Sequence, residues 1–111
     1  MTKDIKNQVI ELLNTAVEGV DCAEKQEGND SATEVLCDCY NAVRAVEYAV
    51  ATGLSDQRME YYIEMTEALK NMLEYINDMI VSGEEHFDVR GKFESLVTLM
   101  SKELEKEPEV A

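Results

Sequence analysis

Three glycines divide this chain into four stretches, each of which repeats apolar residues at the spacing of an α-helix. Gly28, Gly53 and Gly83 stand where a hydrophobic period of about 3.6 residues stops. Glycine often ends a helix because it adopts the left-handed backbone conformation at little steric cost. The single proline, Pro108, follows the last stretch, so no proline interrupts a predicted helix. The pattern therefore predicts an all-α chain.

Four helices are predicted, over residues 2–26, 31–52, 55–82 and 88–105. Ser31 and Glu34 match a capping box at the start of the second helix. Because short connections force consecutive helices to run in opposite directions, we predict an antiparallel up-down four-helix bundle. It forms a single helical domain over residues 1–111, and the charged tail, residues 106–111, is expected to fray.

Each predicted helix carries an apolar stripe that we assign to the core. In the second helix the stripe is Ala32, Leu36, Cys39, Val43, Val46 and Val50. In the third it is Tyr62, Thr66, Leu69, Leu73, Ile76 and Ile80. Gly19 lies inside the first helix, where it costs up to about 1 kcal/mol relative to alanine. Its position indicates close approach by a neighbouring helix.

Acidic residues greatly outnumber basic residues in this chain. It has 24 acidic and 10 basic residues, a formal net charge of -14. Such a surface repels phosphate backbones and anionic lipid headgroups, so we expect neither a nucleic-acid nor a membrane partner. The simplest role of the acidity is solubility, and a cationic partner is the alternative.

The cysteines and the first residues favour a reducing compartment. Cys22, Cys37 and Cys39 are an odd number without the spacing of a disulfide scaffold. Cys37 and Cys39 are separated by about 200° on a helix, so they cannot share a zinc ion. Residues 1–5 lack the apolar run of a signal peptide, and no stretch approaches the roughly 20 apolar residues of a membrane span. We expect a cytoplasmic protein.

Metal-dependent chemistry finds little support in the sequence. Ferritin-like bundles carry Glu-x-x-His pairs in the core, but three residues before the only histidine, His86, stands Gly83. Around this histidine, Glu84, Glu85 and Asp88 could contribute to a divalent-cation site. The simpler interpretation is a solvated loop whose acids favour the next helix dipole.

A second enzymatic alternative is an all-helical nucleotide pyrophosphohydrolase, which holds magnesium with two acidic motifs. Similar pairs occur here, Glu64 with Glu67 and Glu18 with Asp21, but in the reverse order. Chance matches of this kind are expected in so acidic a chain. We therefore predict a protein that is not an enzyme, with no catalytic residue, cofactor or metal ligand.

The best functional lead is a row of methionines on the third helix. Met65, Met72 and Met79 are spaced seven residues apart, with Tyr61 one turn earlier. Flexible thioethers suit surfaces that repack around a partner helix. We name these four residues the methionine edge and predict that it binds a partner. Its alternatives are a core position between two neighbouring helices and a dimer interface.

In helix lengths and turn spacing, the chain is similar to the small four-helix export chaperones that hold the C-terminal helices of flagellin. The N-terminal Thr-Ala-Ser-Pro segment of those chaperones has no counterpart here. The predicted function is an adaptor-like or chaperone-like interaction module that binds a partner helix or basic segment. The alternatives are a homodimeric structural bundle and a metal-dependent enzyme.

Overall fold

The computed structural model describes residues 1–108, which form four α-helices and contain no strand. The helices are α1 (Lys3–Glu24), α2 (Asn29–Gly53), α3 (Asp56–Ser82) and α4 (Phe87–Glu105). Among these described residues, no helix combines the length and the apolar character that crossing a bilayer requires.

The four helices pack into an elongated bundle. Each helix contacts the next along the chain, and α1 also contacts α4, which closes the ring. The bundle measures 47 × 20 × 18 Å along its principal axes. Such a shape fits helices lying side by side around one apolar core.

The core follows the apolar stripes. All six stripe residues of α2 are buried, and in α3 only Ile80 of its six is half-buried instead. In the first turn of α1, Ile5 is 39% exposed although its side chain is apolar. The side chain of Met1, just before α1, is buried instead and packs beside Gly53.

At Gly19, α2 closely approaches α1, as the sequence predicts. A Cβ built on Gly19 would collide with Sγ of Cys39. Cys39 itself is buried. Glycine at this position lowers the intrinsic stability of the helix but allows the two helices to pack closely.

The glycines end the helices differently from the prediction. Among residues 1–108, positive φ occurs only at Gly28 (92°) and Gly83 (74°). Gly83 is the left-handed C-cap of α3, as predicted, whereas Gly53 is simply the last residue of α2. The capping box at Ser31 and Glu34 is wrong, because the turn at Gly28 leads directly into α2, which begins two residues before Ser31.

The segment just after α4 packs against the bundle as far as Glu107. Frayed residues were expected from position 106, but Glu107 is buried, with 7% of its surface exposed. Its carboxylate and main chain are held by side chains from α1 and α3. The charge of Glu107 did not predict this burial, which depends on hydrogen bonds to the buried side chains of Lys6 and Tyr62. The rest of the predicted tail, residues 109–111, lies outside the described residues.

Candidate interaction surfaces

One end of the bundle carries a buried polar cluster that joins three parts of the chain. Glu107 accepts hydrogen bonds on Oε1 from the guanidinium of Arg58 and, at 2.9 Å, from the hydroxyl of Tyr62. Nζ of Lys6 donates to the carbonyl oxygens of Glu107 (2.6 Å) and Glu105 (3.3 Å). We call Arg58, Tyr62 and Glu107 the C-terminal clasp.

The electrostatics of the C-terminal clasp suit a structural contact. Burial, and then the hydrogen bond to Glu107, raise the pKa of Tyr62 well above its usual value of 10.0. The hydrogen bond to Glu107 raises the pKa of Arg58 as well. Both shifts keep these groups in their ordinary protonation states at neutral pH. The clasp therefore fixes the segment after α4 on the bundle, with Tyr62 neutral and Arg58 charged.

At the α1–α4 contact, a second polar cluster forms around Glu24. Its Oε1 lies 2.8 Å from Nε2 of His86, and its Oε2 accepts a 2.7 Å hydrogen bond from Nη1 of Arg90. Arg90 also donates to Asp21 at 3.0 Å and to Glu94 at 3.2 Å. These contacts join the end of α1 to the beginning of α4 and use both oxygens of Glu24 within the protein.

The loop that the sequence offered as a cation site does not gather ligands. Within residues 1–108, no group of three or more His, Cys, Asp or Glu side chains is placed to hold a metal ion. Glu84, Glu85 and Asp88 are exposed, and His86 turns towards Glu24 instead. Within residues 1–108, the buried Nδ1 of His86 has no hydrogen-bond partner.

The structure divides the methionine edge between core and surface. Met65 is buried, Met72 and Met79 are half-buried, and Tyr61 is 37% exposed. The guanidinium of Arg58 lies 5.2 Å from the ring centroid of Tyr61, a cation–π distance. The four residues thus do not form one open surface, and only part of the edge is accessible to a partner.

Met72 lies in a shallow groove between α3 and α4. Leu96 and the 45% exposed Leu99 line the same groove. A Cβ added to Gly91, also in the lining, would meet no other atom within 4 Å. The side of α4 facing this groove carries Lys92, so this surface is less one-sided in charge than the chain as a whole.

A more clearly bounded groove of about 260 Å³ lies between α2 and α3. Its lining includes the buried side chains of Leu36 and Leu73, the half-buried ring of Tyr40 and the exposed thiol of Cys37. We call this the α2–α3 groove. Most of the exposed lining is apolar.

The acidic charge is distributed unevenly over the bundle. Helices α1 and α4 together carry nine acidic and five basic residues, whereas α2 and α3 carry ten and three. The ten are Asp30, Glu34, Asp38, Glu47, Asp56, Glu60, Glu64, Glu67, Glu74 and Asp78. All are exposed except the half-buried Glu47. Of the three basic residues, Arg58 pairs with Glu107, and Lys70 pairs with Glu47 and Glu67.

The cysteines lie in different environments. All three are free thiols. As the sequence predicts, Cys39 belongs to the core, and burial raises its pKa to about 11. Cys22 and Cys37 are exposed, and Cys22 accepts a 3.4 Å hydrogen bond from the amide of Gln26. Cys37 is thus an exposed thiol in the lining of the α2–α3 groove, and Cys22 is an exposed thiol outside that lining.

The α2–α3 groove was not predicted from the sequence, although the spacing of its residues indicates where it lies on α2. Tyr40 follows Cys37 by three residues and the stripe residue Leu36 by four, so Cys37 and Tyr40 lie along one edge of the stripe. Only the position of α3 shows that this edge stays partly open.

Comparison with protein-family models, curated proteins and solved structures finds no match for this chain.

Proposed function

We propose that this chain is a non-enzymatic interaction module that binds a positively charged segment of another protein through its acidic α2–α3 face. The observation that carries the proposal is the charge of that face. Nine exposed acidic residues lie on two adjacent helices, and two of the three basic side chains there are already paired.

Physical chemistry favours a cationic partner for such a surface. Complementary charge accelerates encounter and selects against acidic competitors, while the apolar contact supplies most of the affinity. Phosphate backbones and anionic lipids are repelled, so the proposal includes neither nucleic acid nor membrane. The free thiols are consistent with a reducing compartment, and we propose a cytoplasmic location.

The proposal takes the bundle to be antiparallel and up-down. Two contacts between α1 and α4 support this arrangement. Lys6, near the start of α1, reaches Glu105 at the end of α4, whereas Glu24 at the end of α1 meets Arg90 near the start of α4. In this arrangement α2 and α3 form one continuous hairpin face.

Charge reversal on two helices tests the proposal. One variant replaces Glu64, Glu74 and Asp78 of α3 with lysine, and its control replaces Asp4, Glu11 and Glu18 of α1. All six side chains are exposed, so each variant changes the net charge equally. The probe is a lysine-rich amphipathic peptide, measured by calorimetry at low and high salt.

We expect the α3 variant to weaken binding at least tenfold and the α1 control to weaken it much less, with salt weakening the wild-type complex. Equal loss in both variants would show that the peptide responds only to net charge and would contradict an interaction face on α2 and α3. No binding at low salt would also contradict the proposal.

A second candidate function is self-association through the α3–α4 groove. The observation that favours it is Leu99, which is 45% exposed beside the half-buried Met72. The net charge opposes a dimer at low ionic strength, so salt should promote it. Light scattering at low and high salt tests this candidate, and a monomer in both conditions would eliminate it.

A further inference from the structure

The α2–α3 groove has a shape and composition that specify more than a cationic partner. Its floor is made by Leu36 and Leu73, which are 3% and 2% exposed and belong to the core. Tyr40 and Cys37 of α2 add apolar surface to its lining. A side chain entering the groove therefore contacts apolar atoms of both helices.

Polar contacts between α2 and α3 lie on both sides of the groove along the helix pair. Oγ1 of Thr33 donates a 2.8 Å hydrogen bond to Oδ1 of Asn77, which ties α2 to α3 beside the groove. Further along, Thr66 donates a 3.0 Å hydrogen bond to Glu47, and Lys70 pairs with the same carboxylate. The apolar part of the α2–α3 groove thus lies between two sets of polar contacts, and we call this part the slot.

One carboxylate lines this slot, and two more lie near it on the same helices. Glu74 lines it and is exposed, and Asp78 lies one turn further along α3. On α2, Glu34 lies three residues before Cys37, a spacing that places both on one side of the helix. Charged groups beside an apolar slot favour an occupant that carries opposite charge next to an apolar side chain.

We infer that the α2–α3 groove binds one large apolar side chain of a partner segment whose neighbouring residues are lysine or arginine. This inference rests on the proposed function and specifies the partner's chemistry. The apolar side chain is buried against Leu36, Leu73 and Tyr40. The flanking cations lie beside Glu34, Glu74 and Asp78. Burying a leucine-sized side chain supplies affinity that charge alone does not.

Cys37 provides a direct test because its exposed thiol lies in the slot, while Cys22 is an exposed thiol on α1. Two synthetic peptides serve as probes, a lysine-rich helix with one central leucine and the same peptide with serine in its place. Both carry the same charge. The rate of alkylation by iodoacetamide is measured at each cysteine, by mass spectrometry, with the protein saturated by either peptide.

We expect the leucine peptide to slow alkylation of Cys37 at least fivefold and to leave Cys22 unchanged. The serine peptide should bind about tenfold more weakly, in line with the loss of one buried apolar side chain, and should leave Cys37 reactive. Equal affinity of the two peptides, or an unprotected Cys37 in the leucine complex, would overturn the inference.

A pair of slot-filling variants gives a second readout. Cys37→Phe occupies the slot from a position that is already exposed, and Cys22→Phe is the matched change on α1. The first should reduce the affinity for the leucine peptide to that for the serine peptide, and the second should not. Unchanged affinity in Cys37→Phe would overturn the inference.

The outcomes separate the inference from the function on which it rests. If both peptides bind equally and the α3 charge-reversal variant loses both, the acidic interaction face stands and the slot is overturned. If neither peptide binds at low salt, the proposed function itself fails.

Discussion

The hydroxyl of Tyr62 in α3 donates a 2.9 Å hydrogen bond to the carboxylate of Glu107, 45 residues later in the chain. Arg58 binds the same oxygen, and Lys6 of α1 holds the main chain beside it. Glu107, just beyond α4, thereby contacts α3 through its side chain and α1 through its main chain, so this residue contributes to the stability of the bundle.

Removing the carboxylate of Glu107 should destabilise the fold. Glu107→Ala leaves the buried hydroxyl of Tyr62 without its acceptor, and we expect a loss of about 2 kcal/mol in the free energy of unfolding. Urea unfolding followed by circular dichroism measures it. Glu105→Ala, an exposed acidic residue nearby, is the control and should change stability by less than about 0.5 kcal/mol. Equal effects of the two substitutions would show that the C-terminal clasp contributes nothing specific.

Gly19→Ala should destabilise the protein even though alanine favours helices. The added methyl group would collide with Sγ of Cys39, and we expect a cost of about 1–3 kcal/mol for separating α1 and α2. Gly91→Ala is the matched control, because nothing lies within 4 Å of its added Cβ. That change should stabilise α4 by about 0.5–1 kcal/mol.

A double-mutant cycle measured by thermal unfolding tests the cause of the Gly19→Ala effect. Cys39→Ala removes the sulfur atom, so the double variant should recover most of the loss caused by Gly19→Ala. Strict additivity of the two substitutions would place the strain elsewhere.

The three thiols should react in two classes. Cys22 and Cys37 are exposed, whereas Cys39 is buried and its pKa is raised to about 11, so its reactive thiolate is scarce at neutral pH. An aromatic disulfide reagent should titrate two thiols rapidly in the native protein and the third only after denaturation. Replacement of Cys39 by alanine should abolish the slow phase alone. Rapid reaction of all three native thiols would contradict the packing of α1 on α2.

Stability should fall at alkaline pH through Cys39. Burial raises the pKa of this thiol from 9.0 to about 11, so folding favours its neutral form. Its contribution is complete below pH 9 and is lost as the pH rises towards 11, because the unfolded chain releases the proton first. Urea midpoints measured across this interval should fall less in Cys39→Ala than in the wild type. Cys37→Ala, which removes an exposed thiol, should follow the wild type.

The spacing of apolar residues in the sequence was sufficient to predict much of the fold. The stripe of α2 is buried at every predicted position, because side chains three and four residues apart share a helix face wherever that helix packs. The close approach at Gly19 was predicted because a glycine within a helix can accommodate a neighbouring helix. Gly91, which lies within α4 with nothing within 4 Å of its added Cβ, shows that the sequence alone does not identify which interior glycine does so. The ends of the helices were harder to predict, because a glycine permits a left-handed turn without requiring one. Gly53 is an example.

The sequence by itself determined that this chain is helical, which faces of its helices are apolar and how acidic it is, since these properties belong to single residues and their spacing. Only the tertiary structure decided that Glu107 is buried, that Met65 joins the core while Met72 reaches a groove, and that Tyr40 and Cys37 border an opening on Leu73. These relations join residues far apart in the chain. They depend on how neighbouring helices are rotated and spaced, which no single helical stripe specifies.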